Sequence, residues 1–178
     1  MFRDLYERAQ APWAAVEGGK LALGIGLILW LMWLIKTAEG GFIPVLDHAN
    51  LAFHEAGHPI FGIFGETLGL YGGTLGQLVF PLAFIGRFWW RRESLGFVLA
   101  LGWLCENGFN IARYMADARS QVLPLVGGGE HDWFHILSRW GMLEQDMVVA
   151  ETLRLVCWLG LMTAMYWLGY RYFKDNAG

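Results

Sequence analysis

Cysteine, proline and charge are all scarce in this chain of 178 residues. Its two cysteines, Cys105 and Cys157, each stand alone inside an apolar run. They therefore form neither a disulfide framework nor a Cys-x-x-Cys metal clip, and read as small buried hydrophobes that leave the redox compartment open. There is no basic run, and the net charge of −3 gives no sign of nucleic acid or another polyanion as a partner, so none is expected. Charged residues make up 16% of the chain, against roughly 25% in soluble domains. No internal repeat is present, so a single integral membrane domain is expected over residues 1–178. Residues 1–19 carry Asp4, Glu7 and Glu17 beside Arg3 and Arg8, too long and too acidic a run for the n-region of a signal peptide. The spacing of Phe2, Leu5, Tyr6, Ala9, Trp13 and Val16 predicts an interfacial helix over 1–19, leading into an uncleaved first span.

What is present is long apolar sequence. Residues 21–35, 67–86 and 155–170 contain no Asp, Glu, Lys, Arg or His. A crossing of the hydrocarbon core takes roughly 20 residues, and flanking Lys and Arg side chains can snorkel to extend the shorter runs. Ten Trp and six Tyr fit the headgroup region. The expected fold is all-α, a polytopic membrane helix bundle of four to five transmembrane or re-entrant helices with short interfacial helices. Spans are expected near 20–36, 94–114 and 150–172, with a third span reached through the glycine-rich LGLYGG and ending at Arg87, Arg91 and Arg92. A less apolar helix near 43–64 follows the break at Gly40-Gly41. If that helix enters and leaves on one side, Arg3, Arg8, Lys20, Arg87, Arg91, Arg92, Arg171 and Lys174 share a face. Lys36, Arg113, Arg119 and Arg139 share the other, which puts the N-terminus in the cytoplasm. Lipid bilayer is the obligate partner, other membrane subunits are further candidates, and a bacterial inner membrane is the expected location.

The less apolar helix carries His54-Glu55-Ala56-Gly57-His58. Spacing of i, i+4 stacks His54 and His58 on one face, as two ligands to one tetrahedral metal require. Glu55 projects about 100° away, beside the metal, where it can take a proton from water and return it to a leaving amine. Asp47 and Asn50 lie on the face of His54, and Asp47 suits a second-shell acceptor for a ligand imidazole. Pro59 removes the hydrogen bond to the Glu55 carbonyl, so a polar cavity is expected there. Glu106, Asn110, Arg113 and Asp117 recur on one face of a later span, spread over about 60°, and line the same cavity or form a packing seam. A catalytic zinc needs a third protein ligand and one open position. The connection over 115–149 contains GGGEHDWFHIL, where Gly127 to Gly129 break the chain and a helix starts near His131-Asp132, with Asp132 as its cap. Trp133, Ile136, Leu137 and Trp140 give that helix an apolar stripe suited to the membrane interface, with His131 and His135 opposite. His131 is the first candidate for third ligand, ahead of Asp132 and Asp117; His135 reads as solvated and His48 as a bystander. Zn²⁺ is the expected ion, although His and carboxylate ligands also suit Fe and Mn.

HEAGH on a membrane helix, followed by GGTLGQ and further spans, resembles the site-two protease group of intramembrane zinc metallopeptidases. The resemblance covers 47–132 and implies His54 and His58 as zinc ligands, Glu55 as general base, a later Asp completing the site, and a transmembrane peptide as substrate. The family's Asn-Pro…Asp-Gly setting for that Asp does not occur here. The ADAR…LPL…HDW stretch also resembles segments of small bacterial membrane proteins. Two readings follow. One is a membrane-embedded metal-dependent hydrolase with Glu55 as its catalytic base; the other is a non-catalytic metal-binding or helix-packing subunit of a larger membrane complex.

Overall fold

A computed structural model describes residues 2–126 and 130–177. Among the described residues there are seven α-helices and no strand: α1 (Phe2–Gln10), α2 (Gly18–Thr37), α3 (Pro44–Gly62), α4 (Glu66–Arg91), α5 (Ser94–Ala116), α6 (Asp132–Arg139) and α7 (Asp146–Asn176). Short 3-10 turns occupy Glu39–Gly41 and Leu143–Gln145. Helices α2, α4, α5 and the stretch Leu143–Asn176 are long and apolar enough to cross a membrane. The protein is a membrane-embedded helical bundle with four such helices, and α3 is the odd one out.

The interfacial helix is shorter than its periodicity predicts. Pro12 disfavours helix at the residue before it, and α1 stops at Gln10. The chain beyond is pinned to the bundle instead: Ser94 Oγ donates to the Ala14 carbonyl at 3.2 Å, and the Val16 N–H donates to Asp175 Oδ2 at 3.1 Å. These contacts bring the start of α2, the α4–α5 turn and the end of α7 together. The opposite end of the bundle therefore holds the end of α2, the end of α5 and the start of α7. Gly40 and Gly41, with φ of 59° and 68°, supply the left-handed turn that closes α2.

Two apolar clusters match these two ends. Val16, Ile28, Val98, Leu161, Ala164 and Leu168 join α2, the first half of α5 and α7. Ile111, Ala112, Met115, Trp133, Ile136, Leu137 and Ala150 join the second half of α5, α6 and the start of α7. The stripe of α6 thus packs on protein rather than on the membrane interface; only Trp140 of the four, 49% exposed, stays largely outside. Periodicity shows that an amphipathic helix has an apolar partner without saying which one. Arg119 ties the intervening loop to α7 with a two-pronged grip on Asp146, at 2.9 and 2.7 Å.

Helix α3 meets the middle and end of α5, through Trp103, Glu106 and Asn110, and α4 from its start to its middle, up to Phe80. It lies within one half of the bundle. LGLYGG, which reads as a lead-in, is helical because its glycines let α4 touch α3. A Cβ on Gly57 would fall 2.0 Å from the Gly72 carbonyl oxygen, so the two backbones are in contact. Close approach of this kind supplies the van der Waals attraction that holds helices together in lipid, where apolar burial alone gives little.

Candidate metal centre

Contact between α3 and α4 places His54 and His58 over the backbone of α4, at the end of the bundle where α6 begins. Helix α6 brings Asp132 to them. His54 Nε2 is 3.0 Å from Asp132 Oδ2, His58 Nε2 is 3.2 Å from the same oxygen, and the two Nε2 atoms are 3.3 Å apart. Among the described residues these three form the one group of His, Cys, Asp or Glu side chains able to share an ion. Their separations suit one metal: a tetrahedron with bonds of roughly 2.0–2.1 Å has edges of about 3.3 Å.

The far nitrogens settle what the near ones carry. His58 Nδ1 donates to the Gly69 backbone carbonyl at 2.9 Å, which can only accept. His54 Nδ1 lies 3.0 Å from Gln77 Oε1. The orientation of that amide follows from a chain ending on a carboxylate: Gln77 Nε2 donates to Asn110 Oδ1 at 3.4 Å, and Asn110 Nδ2 donates to Asp47 Oδ1 at 2.6 Å. The other oxygen of Asp47 accepts the Ile43 N–H. With both Nδ1 positions protonated, two Nε2 lone pairs and a carboxylate oxygen converge on one point. One extra proton would satisfy one pair and leave the third atom facing a lone pair; one divalent cation satisfies all three. The space is kept open by Gly73, whose missing Cβ would sit 2.4 Å from His54 Nε2 and 2.7 Å from His58 Nε2. The residues present fit a metal.

Asp132, not His131, stands beside the imidazoles. His131 caps α6: its Nδ1 accepts the Phe134 N–H at 3.2 Å, and its Nε2 faces Asp117 Oδ2 at 3.4 Å, an electrostatic contact rather than an aligned hydrogen bond. The cap expected of Asp132 thus falls to its neighbour, and the capping bond turns His131 away from the centre. Asp117 is structural too. Burial opposes its ionisation, but the Ser120 hydroxyl, the Val122 and Leu123 N–H groups and His131 outweigh it and hold the carboxyl below the usual carboxylate range. Burial pushes the His131 imidazole down, against the pull of Asp117. His135, half-exposed, pairs with Glu130 at 2.7 Å, and His48 contacts the Pro44 carbonyl away from the centre. The chain break expected at Gly127–Gly129 lies outside the described residues.

Asp47 serves the site at two removes, through Asn110 and Gln77, rather than by direct contact with an imidazole. Asn50 donates to Glu106 Oε2 at 2.8 Å, which makes their pairing a seam between α3 and α5. Gln77 is the residue the motif does not reveal; its signal is an amide inside an apolar span, which is unfavourable unless paired. Tyr114 is a second such residue: its oxygen accepts the Asp132 N–H at 3.2 Å, leaving its own proton free. Replacing Gln77 by alanine is expected to weaken zinc binding roughly 10- to 100-fold, as loss of an orienting partner does elsewhere. Competition against a chelating dye measures it; unchanged affinity would show that the amide does not orient His54.

Glu55 borders the site on its open side. A cavity of about 440 Å³ is lined by His54, Glu55, His58, Asp132 and Tyr114, so the three-ligand group keeps an approach from solvent. A second cavity of about 270 Å³ meets it at His54, Glu55 and Tyr114. Pro59 lies inside α3, which continues to Gly62, and is not among the residues that line either cavity. Comparison with protein-family models, curated proteins and solved structures finds no match to the chain.

Proposed function

We propose that the protein is a membrane-embedded metal-dependent hydrolase, of zinc metallopeptidase type, acting on an amide bond. The observation that carries this reading is the convergence of three ligand atoms, His54 Nε2, His58 Nε2 and Asp132 Oδ2, beside Glu55 and an open cavity. A divalent ion bound there supplies Lewis acidity toward a carbonyl oxygen and toward water. His54, His58 and Asp132 would hold such an ion with two imidazoles and one carboxylate, the ligand number of catalytic rather than structural zinc sites, beside an open cavity.

The chain's own groups account for the proton traffic. Glu55 takes a proton from the attacking water, whose oxygen goes to the acyl carbon. As the carbon–nitrogen bond breaks, Glu55 passes the proton to the leaving nitrogen. Tyr114, which lines both cavities and whose oxygen accepts the Asp132 N–H, can turn its hydroxyl proton toward the carbonyl oxygen as that gains charge. Gln77, Asn110 and Asp47 keep the His54 lone pair on the ligand side. Part of the same proposal is an N-terminus on the cytoplasmic side of a bacterial inner membrane. The clustering of Arg8, Arg92 and Arg171 around the 11–17 segment supports it, and it opens the site on the opposite face.

Metal content of detergent-purified protein, by plasma mass spectrometry, tests the reading. Near-stoichiometric zinc is expected, falling to background in His54→Ala, His58→Ala and Asp132→Ala. Protein never exposed to chelator that carries no more metal than these variants would overturn the hydrolase reading and leave a helix-packing subunit of a larger complex. Loss in the two histidine variants but full retention in Asp132→Ala would remove Asp132 from the ligand set.

A further inference from the structure

The second cavity differs in chemistry from the first. Its walls are mainly apolar, with Phe42, Leu51, Leu123, Pro124 and Leu125 among them, and its lining includes His54 and Glu55 as well as Arg113. At about 270 Å³ it falls just under the roughly 300 Å³ at which drug-sized pockets begin, room for a short chain and not for a helix. Arg113 stands at the far end, half-buried, with its guanidinium 5.4 Å over the Phe42 ring, and also borders a neighbouring cavity of about 370 Å³. Among the described residues no carboxylate forms an ion pair with it. Arg119, Arg154 and Arg171, by contrast, are each paired to an acid. Asp47 borders the same end, but its oxygens are taken by Asn110 and the Ile43 N–H, so it is not a counter-ion in waiting.

A half-buried guanidinium without an acid, lining the same largely apolar cavity as His54 and Glu55, is arranged to receive an anion carried by the substrate. Arginine's planar fork matches a carboxylate with two parallel hydrogen bonds. Resting on the hydrolase reading above, we infer that Arg113 binds the free carboxylate of a short apolar segment on the leaving side of the scissile amide. The substrate is then a peptide cut close to its C-terminus. The scissile carbonyl lies between His54 and Tyr114, the apolar residues fill the channel past Leu51 and Leu123, and the terminal carboxylate reaches Arg113. The first cavity, more polar and bordered by Glu130 and Arg139, is left to the acyl side.

Chelating probes test this without the natural substrate. Straight-chain hydroxamates of graded length, ending in a carboxylate, its methyl ester or a phosphate, are titrated calorimetrically into the zinc-loaded full-length protein. At one chain length the carboxylate is expected to bind roughly 10- to 100-fold tighter than its ester, the range for hydrogen bonds to a charged group. Arg113→Gln is expected to remove that preference while leaving ester affinity unchanged, which also shows that the variant is folded and loaded; Arg113→Lys is expected to keep part of it. Equal binding of carboxylate and ester at every length, or a preference that survives in Arg113→Gln, overturns the Arg113 subsite alone. A phosphate preferred over the carboxylate overturns the peptide terminus in favour of a lipid phosphate. Failure of every hydroxamate to bind overturns the hydrolase reading together with the subsite.

Discussion

Replacing Gly73 by alanine is expected to lower zinc affinity by at least about 100-fold while leaving the helical bundle intact. That exceeds the loss of an orienting partner because the added carbon enters the ion's own space. An added Cβ would fall 2.4 and 2.7 Å from the two Nε2 atoms, closer than a carbon and a nitrogen can approach without bonding. The imidazoles are side-chain ends and can rotate away, so the substitution separates no helices; what it takes away is their common focus. Gly57→Ala is the contrasting variant, since its Cβ would meet the Gly72 carbonyl oxygen at 2.0 Å and must push α3 off α4. Gly86→Ala, with nothing within 4 Å of the added carbon, is the neutral one. Metal content and thermal unfolding in detergent, measured side by side, separate the three. Loss of zinc at unchanged stability is expected for Gly73→Ala, and loss of both for Gly57→Ala. A Gly73→Ala protein that binds zinc as tightly as wild type would mean that the imidazoles do not focus against α4.

The residues of this site were unequally legible in the sequence. His54 and His58 could be read because helical spacing alone puts residues four apart on one face, and the apolar runs could be read because lipid tolerates little else. Asp132 could not be told from His131. Neighbouring residues at a helix start point about 100° apart, and which one turns inward depends on which one caps the helix. Here His131 takes the Phe134 N–H, and Asp132 is left facing the imidazoles. The amide chain from Gln77 through Asn110 to Asp47 was out of reach for a different reason. Its members are 33 and 63 residues apart and meet only through the packing of α3, α4 and α5. Glycine misled in the opposite direction, since the Gly-rich start of α4 reads as loop in water but serves as a helix-contact face in a membrane. Gly73 is the clearest case: what matters there is the atom it lacks.

Substituting Glu55 by glutamine is expected to lower turnover by roughly 10²- to 10⁴-fold, the span attributed to a positioned general base, with zinc content unchanged. Glu55 follows His54 on α3, borders both cavities where they meet, and is half-buried without an ion pair or side-chain hydrogen bond among the described residues. A carboxylate left without a partner at this depth contributes nothing to folding, and its burial is unfavourable. Its place is accounted for by what it can do to water in the cavity. Glutamine keeps the shape and can still hydrogen-bond, but it cannot carry a proton from water to a leaving nitrogen. Aspartate keeps the charge one methylene further back and is expected to retain partial turnover. The measurement pairs metal analysis with release of a quenched fluorophore from apolar peptides in proteoliposomes, across wild type, Glu55→Gln and Glu55→Asp. Zinc retained and turnover lost in Glu55→Gln alone assigns the base. Zinc retained and turnover equal to wild type would move the proton transfer elsewhere and leave Glu55 without a role in the chemistry. Zinc lost from Glu55→Gln would mean that the carboxylate acts as a ligand, and the three-ligand group around Asp132 would have to be redrawn to include it.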